Sequence, residues 1–557
     1  MSAFRFSPRP NRAAEIEWHE WGQTAFEDAR RLDRPILLAI SAVWCHWCHV
    51  MDETTYSEPA VIAAINEAYV PVRVDNDIRP DVNNRYNMGG WPTTAFLTPE
   101  GDILTGATYL PPEAMLAALQ RVQSFYRGNR PEIRTQVLEA RRKAATIIAS
   151  SAGTLDPGLV DAVLAAVVNS YDKTYGGFGG SPKFPQTDAL ALLAEQSLRR
   201  SEPELLEMAR FTLRQMSGGG TYDHVEGGFF RYSTTQDWTV PHFEKMLEDH
   251  AGLVSALALA GEGEILDSAT AYLDRVLREP ATGLYAGSQD ADHEYYGADA
   301  AGRSSRTAPF VDRRAYSNWN CMLAVAYLEA DARLGRPALR DRASTLLESV
   351  FGASYSAWGG MLHAEGVGGQ LTDQAWALLA AVRAFSAGLG SRWLEIADEL
   401  AAHLESGYGD PELGGYFDRS AHGELGRLGD RLKPIGENSV IAVALFELDQ
   451  LAGSGHAERG RRALESVAQL PHRYGLMAAG WARAYDRYLA EPVKVTTSNA
   501  ALARAALEAN PYVVLEPGAP DNAVVCLRTL CLAPVRDEAD LRSALADQPQ
   551  VRTINLP

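Results

Sequence analysis

The sequence predicts a multidomain protein with an N-terminal α/β domain, a central all-α domain and a small C-terminal α/β segment. Up to about residue 125, apolar strand-like runs alternate with helical patterns, whereas from about 156 to 490 the apolar spacing is helical throughout. Strand-like runs return after that. The chain has 557 residues, of which 46% are hydrophobic and 22% charged, so it is long enough for two or three cores. The predicted segments are 1–125, a helical linker at 126–155, 156–490 and 491–557.

The first domain is predicted as a leading helix followed by elements in the order β-α-β-β-α. Each strand is a short apolar run, and each helix has apolar residues at a spacing of three to four. Glycine and proline mark the turns between them. The predicted elements are a helix at 22–31, a strand at 35–41, a helix that starts at the cysteine pair and continues through 51–56, a helix at 59–69, strands at 70–75, 93–98 and 103–108, and a helix from 111.

Two cysteines follow the first of these strands, in Trp44-Cys45-His46-Trp47-Cys48. A helix that begins at this point would surround the first thiol with unpaired backbone amides, which favour the thiolate. Cys45 is therefore the predicted nucleophile and Cys48 the resolving thiol. His46 lies between them, and a positively charged imidazole there would stabilise the thiolate further.

Spacing alone leaves other functions open for this motif. Two cysteines and two histidines could bind zinc, but neighbouring residues of one helical turn point in different directions, so His46 and His49 could not easily both join. The motif with its following histidine also matches the haem-attachment pattern, which would need export and an axial ligand. Redox chemistry is the favoured interpretation.

The first domain resembles thioredoxin. In that fold a cis proline precedes the third strand and lies against the redox pair, which implies the same role for Pro92. Trp44 and Pro92 therefore join Cys45, His46 and Cys48 as the predicted catalytic set. A proline there also lacks an amide donor, which keeps the thiolate clear and leaves an edge for substrate backbone.

The central region reads as paired helices separated by a recurring glycine motif. In each copy a large apolar or aromatic residue follows the glycine, and the copies lie roughly one helical hairpin apart. Such a repeat predicts stacked α-hairpins, either closed into a toroid or open as a solenoid. The copies are Tyr175-Gly-Gly-Phe178, Glu226-Gly-Gly-Phe229, Thr282-Gly-Leu-Tyr285, Trp358-Gly-Gly-Met361 and Leu413-Gly-Gly-Tyr416.

The loops of this region carry residues suited to sugar binding or acid/base chemistry. Aromatic rings can stack on sugars, and paired carboxylates can be held in opposite protonation states. The same residues could instead be helix caps and salt bridges, so a catalytic site, a non-catalytic binding cavity and a scaffold all remain open. The candidates are Lys183, Asp223, Tyr232, Trp238, His242, Glu244, Lys245, Asp290, Asp292, Trp319 and Asp373.

Motifs across nearly the whole chain resemble the spermatogenesis-associated protein 20 family. They include Cys-His-Trp-Cys-His-Val-Met at 45–51, Gly-Gly-Trp-Pro at 89–92, Pro-Lys-Phe-Pro at 182–185 and Pro-His-Phe-Glu-Lys-Met-Leu at 241–247. The resemblance implies a thioredoxin-like domain followed by an (α/α) toroid of the six-hairpin glycosidase type. Two stretches depart from the family pattern, at 294–312 and 433–439, so toroid chemistry is not carried over.

The other cysteines have simpler predicted roles. Cys321 lies in a helical stretch and is expected to be a small buried hydrophobic residue. Cys526 and Cys531 could exchange with the first pair or stand as neighbouring thiols, and the second interpretation is favoured.

Composition excludes several classes of function. A net charge of −19 without basic runs argues against nucleic acid, and no apolar stretch is long enough for a membrane helix. The first residues do not resemble a signal peptide, so a cytoplasmic location is expected. No dinucleotide-binding fingerprint is present, so electrons would come from an external dithiol. No cofactor and no metal are expected.

The predicted function is thiol-disulfide exchange on a protein or small-molecule disulfide, with a possible carbohydrate ligand in the toroid. One alternative is a sugar epimerase or glycoside hydrolase in the toroid, regulated by the first domain. Another is a non-catalytic binding protein that senses oxidation.

Overall fold

The computed structural model describes residues 4–129, 131–133, 135–139, 142, 152–420, 425–453, 455–528 and 530–546. These residues divide into two compact units. Unit 1 contains the described residues up to 142, together with Asp290–Asp292 and residues 425–432. Unit 2 contains the rest. Much of the predicted linker at 126–155 lies outside the described residues, and the predicted domain boundaries stay predictions.

Unit 1 has the predicted order of strands and helices. Its helices are α1 (Gln23–Leu32), α2 (His46–Glu53), α3 (Pro59–Ala68), α4 (Pro80–Tyr86) and α5 (Pro112–Gly128). Its strands are β1 (Ile36–Ser41), β2 (Val70–Asp75), β3 (Thr93–Leu97) and β4 (Ile103–Ala107). Short 3₁₀ turns lie at Ala13–Glu15, Thr55–Ser57 and Gly426–Gly429.

The sheet of unit 1 has the strand order β2-β1-β3-β4. Strand β1 pairs in parallel with β2 and antiparallel with β3. One core, which includes Ile36, Leu38 and Ile40, packs against α1 and α4, and the other, which includes Leu37 and Ala39, packs against α2, α3 and α5. Because both faces of β1 are buried, its sequence is a continuous apolar run and does not alternate.

Two details of unit 1 differ from the sequence prediction. The helix after the cysteines ends at Glu53 and does not continue to Tyr56, because a 3₁₀ turn takes over at Thr55–Ser57. Helix α4 was not predicted. Its sequence signals are Pro80 and the acidic Asp81 in the first turn and the basic Arg85 in the last turn.

Unit 2 is mainly helical. Its helices are α6 (Gly158–Ser170), α7 (Thr187–Arg200), α8 (Pro203–Gly218), α9 (Leu247–Ala260), α10 (Gly263–Tyr272), α11 (His293–Tyr296), α12 (Ala300–Ser304), α13 (Ser317–Leu334), α14 (Pro337–Ser354), α15 (Leu371–Ser386), α16 (Arg392–Gly407), α17 (Ile435–Ala452), α18 (His456–Glu465), α19 (Leu470–Tyr474), α20 (Ala479–Leu489), α21 (Ala500–Ala509) and α22 (Glu538–Ala546). A π-helical turn at Leu273–Leu277 extends α10, and a 3₁₀ turn at Gly475–Ala478 precedes α20.

Unit 2 also has short strands between its helices and a four-stranded sheet near the C-terminus. The strands of both kinds are β5 (Tyr232–Ser233), β6 (Pro241–His242), β7 (Lys245–Met246), β8 (Ser288–Gln289), β9 (Val311–Asp312), β10 (Tyr355–Ser356), β11 (Gly360–Met361), β12 (Val493–Thr496), β13 (Val514–Glu516), β14 (Val524–Leu527) and β15 (Leu530–Cys531).

The helices of unit 2 form a closed (α/α) toroid. Within the described ranges, α7, α9, α13, α15, α17 and α20 form an inner ring in which each helix packs on the next and α20 packs back on α7. An outer helix stands beside each of them. The closed toroid is therefore confirmed, and the open solenoid is excluded.

The recurring glycine motif joins the toroid's loops to its inner helices. In four copies, the backbone N–H of the motif's last residue donates to a polar side chain at the fourth position of an inner helix. These bonds run from Phe229 to His250, Tyr285 to Asn320, Met361 to Gln374 and Tyr416 to Asn438, at 2.8–2.9 Å. At Gly228 (φ 80°) a Cβ atom would lie 2.5 Å from the Tyr272 ring, so glycine is required there.

The C-terminal sheet has the strand order β13-β12-β14-β15. Cys526 on β14 lies opposite Cys531 on β15, and their sulfurs form a disulfide. The preference for two separate thiols is therefore wrong. The sequence prediction missed β15, whose pairing brings the two cysteines together. Cys321 is a free, fully buried thiol, as predicted.

Among the described residues, no helix is both long and apolar enough to cross a membrane.

Candidate functional site

The cysteine pair lies where β1 gives way to helix α2. Cys45 is the N-cap of α2, with an extended backbone, and its sulfur accepts a hydrogen bond from the Cys48 N–H at 3.2 Å. The two sulfurs form a disulfide, and their Cα atoms are 5.2 Å apart. Reduction would leave Cys45 at the positive end of the helix with a backbone donor already aimed at its sulfur.

Two tryptophans connect the cysteines with the loop before β3. The Trp44 ring meets the Trp91 ring edge-on at 5.6 Å, and its indole N–H donates to Asp77 at 2.7 Å. The Trp91–Pro92 peptide bond is cis, as the resemblance to thioredoxin implies. Trp44, which precedes Cys45, thus contacts Trp91, which precedes Pro92.

The disulfide itself is largely covered, but its surroundings are not. Cys45 and Cys48 are each 4% exposed, whereas Trp47 between them is 48% exposed. The Trp47 ring packs on Tyr109 at 5.3 Å. The exposed surface beside the disulfide is therefore aromatic, and access to Cys45 is narrow.

His49, one turn after Cys45, contacts Asp290 within unit 1. Its Nε2 lies 3.4 Å from a carboxylate oxygen of Asp290 and 3.0 Å from the Val43 carbonyl oxygen. Burial by itself would lower the pKa of His49, but the hydrogen bond and charge of Asp290 outweigh it and raise the pKa above its ordinary value. Asp290, predicted as a toroid residue, thus belongs to the surroundings of α2, and Asp292 lies in the same segment of unit 1.

In the part of the chain that the structure describes, no three His, Cys, Asp or Glu side chains are grouped so that they could hold a metal ion.

Three of the predicted sugar-binding residues belong to a repeated ion-pair clamp in the toroid. Lys183 binds the Asp172 carboxylate at 2.7 Å and the Gly176 carbonyl oxygen at 2.8 Å. Lys245 binds Asp223 at 2.7 Å and the Gly227 carbonyl oxygen at 2.9 Å.

The clamp occurs once more at a place where no ligand was predicted. There Lys433 binds Asp410 and the Gly414 carbonyl oxygen, both at 2.7 Å. In each copy the lysine holds the loop of a glycine motif. A binding role for Lys183, Asp223 and Lys245 stays a prediction.

Most of the other predicted toroid residues also have structural partners. Trp238 is fully buried, and its indole N–H donates to the Tyr175 carbonyl oxygen at 2.9 Å. Trp319 packs edge-on against Tyr316 at 4.7 Å. Asp373 accepts hydrogen bonds from His363 and from the Gln370 backbone, both at 2.9 Å.

Tyr232, His242 and Glu244 form one continuous group. The Tyr232 ring stacks on His242 at 4.9 Å and on the exposed Phe184 ring at 4.6 Å. His242 Nδ1 is hydrogen-bonded to the buried Glu244 carboxylate. Phe184 also lines a large cavity, so this stack reaches the edge of that cavity.

The cavity occupies the centre of the toroid and has a volume of about 730 Å³. Every helix of the inner ring contributes residues to its wall. None of the eleven predicted toroid residues lines it. Its volume is within the range of small-molecule sites.

Carboxyl groups with raised pKa values line part of this cavity. Desolvation by the surrounding protein, and then repulsion from Asp249, raise the pKa of Glu248 to about 7. Desolvation also raises the pKa of Asp249 to about 6 and that of Glu437 above its usual range. Within the described residues, the Asp249 Oδ2 atom is buried and accepts no hydrogen bond.

The arginines in the cavity wall are already paired. Arg483 donates to Glu195 at 2.8 Å and Arg333 to Glu329 at 3.2 Å. Arg383 and Arg487 share Glu447, at 2.6 Å and 3.0 Å. Near the acidic pair, the Arg231 Nε atom lies 4.0 Å from an Asp249 carboxylate oxygen, and its charge partly offsets the raised pKa of Glu248.

Sequence reasoning missed Glu248, Asp249 and Glu437. Glu248 and Asp249 directly follow the motif that ends at Leu247, and Glu437 lies within the stretch 433–439, which departs from the family pattern. The available signal was an acidic residue in the first turn of an inner helix. Only ring closure shows that such turns face a common centre.

The fold and the two sites define a thioredoxin-like domain joined to an (α/α) toroid. Residues 9–145 match the family Thioredox_DsbH, described as a protein of unknown function, DUF255. Spermatogenesis-associated protein 20 of Homo sapiens is 34% identical over 310 residues, which cover 50% of this chain and 39% of the human protein. The Mus musculus protein is likewise 34% identical over 311 residues. The predicted resemblance is confirmed, and the match spans less than half of these relatives' length.

Solved structures give weaker likenesses. The cellobiose 2-epimerase of Spirochaeta thermophila matches 63% of this chain and 99% of its own, with 18% identity and a TM-score of 0.44. A thioredoxin from Thermus thermophilus matches 20% of this chain and 90% of its own, with 21% identity and a TM-score of 0.19. The assignment of a toroid therefore rests on the closed ring of inner helices in this structure and not on these likenesses.

Proposed function

We propose that this protein is a thiol-disulfide oxidoreductase that uses Cys45 and Cys48. The observation that carries the proposal is the position of Cys45 at the N-cap of α2, with the Cys48 N–H donated to its sulfur. Both the helix dipole and this hydrogen bond stabilise a thiolate over a thiol. A thiolate with a second thiol within disulfide reach is the minimum machinery for disulfide exchange.

The reaction proceeds in two exchanges. The Cys45 thiolate attacks a substrate disulfide, forms a mixed disulfide and expels one substrate sulfur as a thiolate. The Cys48 thiolate then attacks Cys45, which releases the second substrate thiol and leaves the Cys45–Cys48 disulfide. An external dithiol returns both cysteines to the reduced state. Because the pair must cycle, the proposal includes a reducing compartment such as the cytoplasm.

The narrow access to Cys45 favours a small or extended disulfide substrate over a folded protein surface. Cys45 is 4% exposed, and the exposed Trp47 and its partner Tyr109 offer an aromatic surface beside it. Hydroxyethyl disulfide and insulin therefore serve as a small and a large substrate.

The test compares reduction of these two substrates by the wild-type protein, Cys45→Ser and Cys48→Ser. We expect wild type to turn over at least the small disulfide, Cys45→Ser to be inactive, and Cys48→Ser to stop at a mixed disulfide visible by mass spectrometry. Equal inactivity of all three proteins on both substrates would overturn the proposal. Cys321→Ser is the matched control, because this buried thiol has no part in the reaction.

A second candidate function is carbohydrate chemistry in the toroid. The cavity of about 730 Å³ favours it, because this volume suits a mono- or disaccharide and Phe184 and Trp376 offer rings for stacking. In this proposal Glu248 is the general acid, since a pKa of about 7 keeps a fraction of it protonated at neutral pH. Asp249, with a pKa of about 6, is then the base.

Proton NMR of D-mannose and of cellobiose, each incubated with the full chain, tests this candidate. We expect isomerised, epimerised or hydrolysed product with wild type, a rate that falls above about pH 7 as Glu248 loses its proton, and loss of product with Glu248→Gln. Turnover unaffected by Glu248→Gln would remove Glu248 from the mechanism. His242→Gln tests whether the group of Tyr232, His242 and Glu244 takes part in sugar turnover. Cys45→Ser should leave sugar turnover unchanged, because it removes only the redox nucleophile.

A further inference from the structure

The Cys526–Cys531 disulfide lies at the outer edge of the C-terminal sheet. Strand β15 is the edge strand and comprises Leu530 and Cys531 alone. Cys531 is exposed, its neighbour Leu530 is 63% exposed, and Cys526 is 8% exposed. One sulfur of the bond therefore belongs to a residue that an external thiol can approach from solvent.

The sheet does not depend on this bond. Strand β14 is paired along its whole length with β12, and the Ala523 and Val535 backbones exchange hydrogen bonds at 2.8 and 2.9 Å. A hydrophobic core that contains Val525 and Leu541 holds the sheet against α21 and α22. The cysteines are five positions apart, and a disulfide that closes so short a loop constrains the unfolded chain least.

The backbone beside the pair is under strain. Arg528, which follows β14, has a φ of +50°, a left-handed conformation that costs energy for a residue with a side chain. Its guanidinium group is held by Glu491 at 2.9 Å. This conformation belongs to the turn between β14 and β15, which Leu527 and Leu530 flank as a pair.

We propose that Cys526 and Cys531 form a second redox couple, reduced by a protein dithiol of the thioredoxin class without unfolding of the sheet. The inference goes beyond the activity proposed for Cys45 and Cys48 and does not depend on it. Exposed disulfides that can be broken without loss of the fold are the labile ones, whereas buried structural disulfides resist reduction.

The exchange balances as a two-electron step. A thiolate of the donor attacks the Cys531 sulfur, the Cys526–Cys531 bond breaks, and Cys526 leaves as a thiolate that takes up a proton. The second donor thiolate attacks the mixed disulfide, which frees Cys531 as a thiolate that is protonated in turn. The donor ends as a disulfide, and two electrons and two protons have passed to the cysteine pair.

The experiment uses the full chain with Cys45→Ser and Cys48→Ser, which leaves the C-terminal pair and the buried free thiol of Cys321. Oxidised protein is incubated with thioredoxin, thioredoxin reductase and NADPH, and free thiols are then blocked with N-ethylmaleimide. The protein is digested, and the masses of its peptides are measured by mass spectrometry. We expect two maleimide additions, at Cys526 and Cys531, with an unchanged far-ultraviolet circular dichroism spectrum.

Two results would overturn the proposal. One is a bond that thioredoxin reduces only after denaturant is added, which would make it a structural disulfide. The other is reduction in the wild-type chain but not in the double serine variant, which would assign the electrons to Cys45 and Cys48 and not to an external dithiol. Because the double variant lacks the N-terminal pair, failure of the function proposed above does not change the expected outcome.

Discussion

At the residue scale, the chemistry proposed for this protein depends on the ionisation of Cys45. Its sulfur accepts the Cys48 N–H at the start of α2, and His46 is the next residue. Both the helix terminus and a nearby imidazolium stabilise negative charge, so they act in the same direction.

We therefore expect the Cys45 thiol in the reduced protein to have a pKa well below the ordinary value of about 8.5. The measurement is the pH dependence of iodoacetamide alkylation in a Cys48→Ser background. His46→Gln should raise this pKa, because it removes a side chain that can carry positive charge and keeps the backbone donor. An ordinary pKa in both proteins would contradict the prediction, and Trp47→Phe serves as the control.

His250 gives a second prediction at this scale. It is fully buried, its Nε2 accepts the Phe229 N–H at 2.9 Å, and its Nδ1 donates to the Met246 carbonyl oxygen at 2.7 Å. Desolvation lowers its pKa to about 4, well below the 6.5 of an unfolded chain.

Because the unfolded chain binds this proton more readily, stability should fall as the pH drops from about 6.5 towards 4, by up to about 3 kcal/mol. His250→Asn should remove most of this slope, since asparagine does the same task at Asn320 and Asn438 without titrating. Urea unfolding between pH 4 and 8 measures the effect. A slope that is the same in both proteins would assign the acid sensitivity to other groups.

At the scale of elements, the toroid is built from a repeated loop-to-helix connection. A glycine motif turns the chain, and the backbone N–H of its last residue donates to the side chain at the fourth position of an inner helix. A lysine-aspartate clamp holds three of the loops. The repeat explains why the sequence places lysines and aspartates near these glycines.

The clamp predicts a loss of stability that a binding residue would not cause. Lys183→Met leaves the Asp172 carboxylate, 7% exposed, without its cation, which should cost about 3–5 kcal/mol. Lys433→Met should behave alike, and Lys173→Met, at an exposed position, should have little effect. Hydrogen exchange of peptides from the clamped loops measures the difference. An unchanged hydrogen-exchange rate of the loop in Lys183→Met would contradict the structural role and would favour a ligand-binding role for this lysine.

At the scale of the whole molecule, unit 1 is not one continuous piece of chain. Leu428 is 1% exposed in a core with Phe26 and Tyr86, and the Arg427 N–H donates to the Tyr86 hydroxyl at 2.7 Å. The Arg85 guanidinium donates to the Asp430 carbonyl oxygen at 2.9 Å. The thioredoxin-like sheet therefore takes part of its core from a segment more than 300 residues away in sequence.

Leu428→Ala should lower the free energy of unfolding of unit 1 by about 2–5 kcal/mol, because it leaves a cavity in this core. Hydrogen exchange of peptides from β1 and β3 measures the change. Leu425→Ala, at a partly buried position of the same segment, should cost less. Unchanged exchange in Leu428→Ala would mean that the core of unit 1 is complete without this segment.

The sequence by itself determined the thioredoxin-like order of elements, the cysteine pair and the helical hairpins, because these depend on short-range spacing and on the apolar period. It did not determine which polar residues face the central cavity. The eleven predicted toroid residues were chosen for their chemistry, yet several are held in clamps and caps, while Glu248, Asp249 and Glu437 lie in the cavity wall.

The spacing left ring closure open and the family resemblance implied it, whereas only the tertiary structure decided the Cys526–Cys531 bond and the place of Asp290 and Leu428 in unit 1. Each of these depends on contacts between residues brought together by folding. Desolvation and charge, which shift the pKa values of the cavity carboxyls, act through such contacts and not through neighbours in the chain.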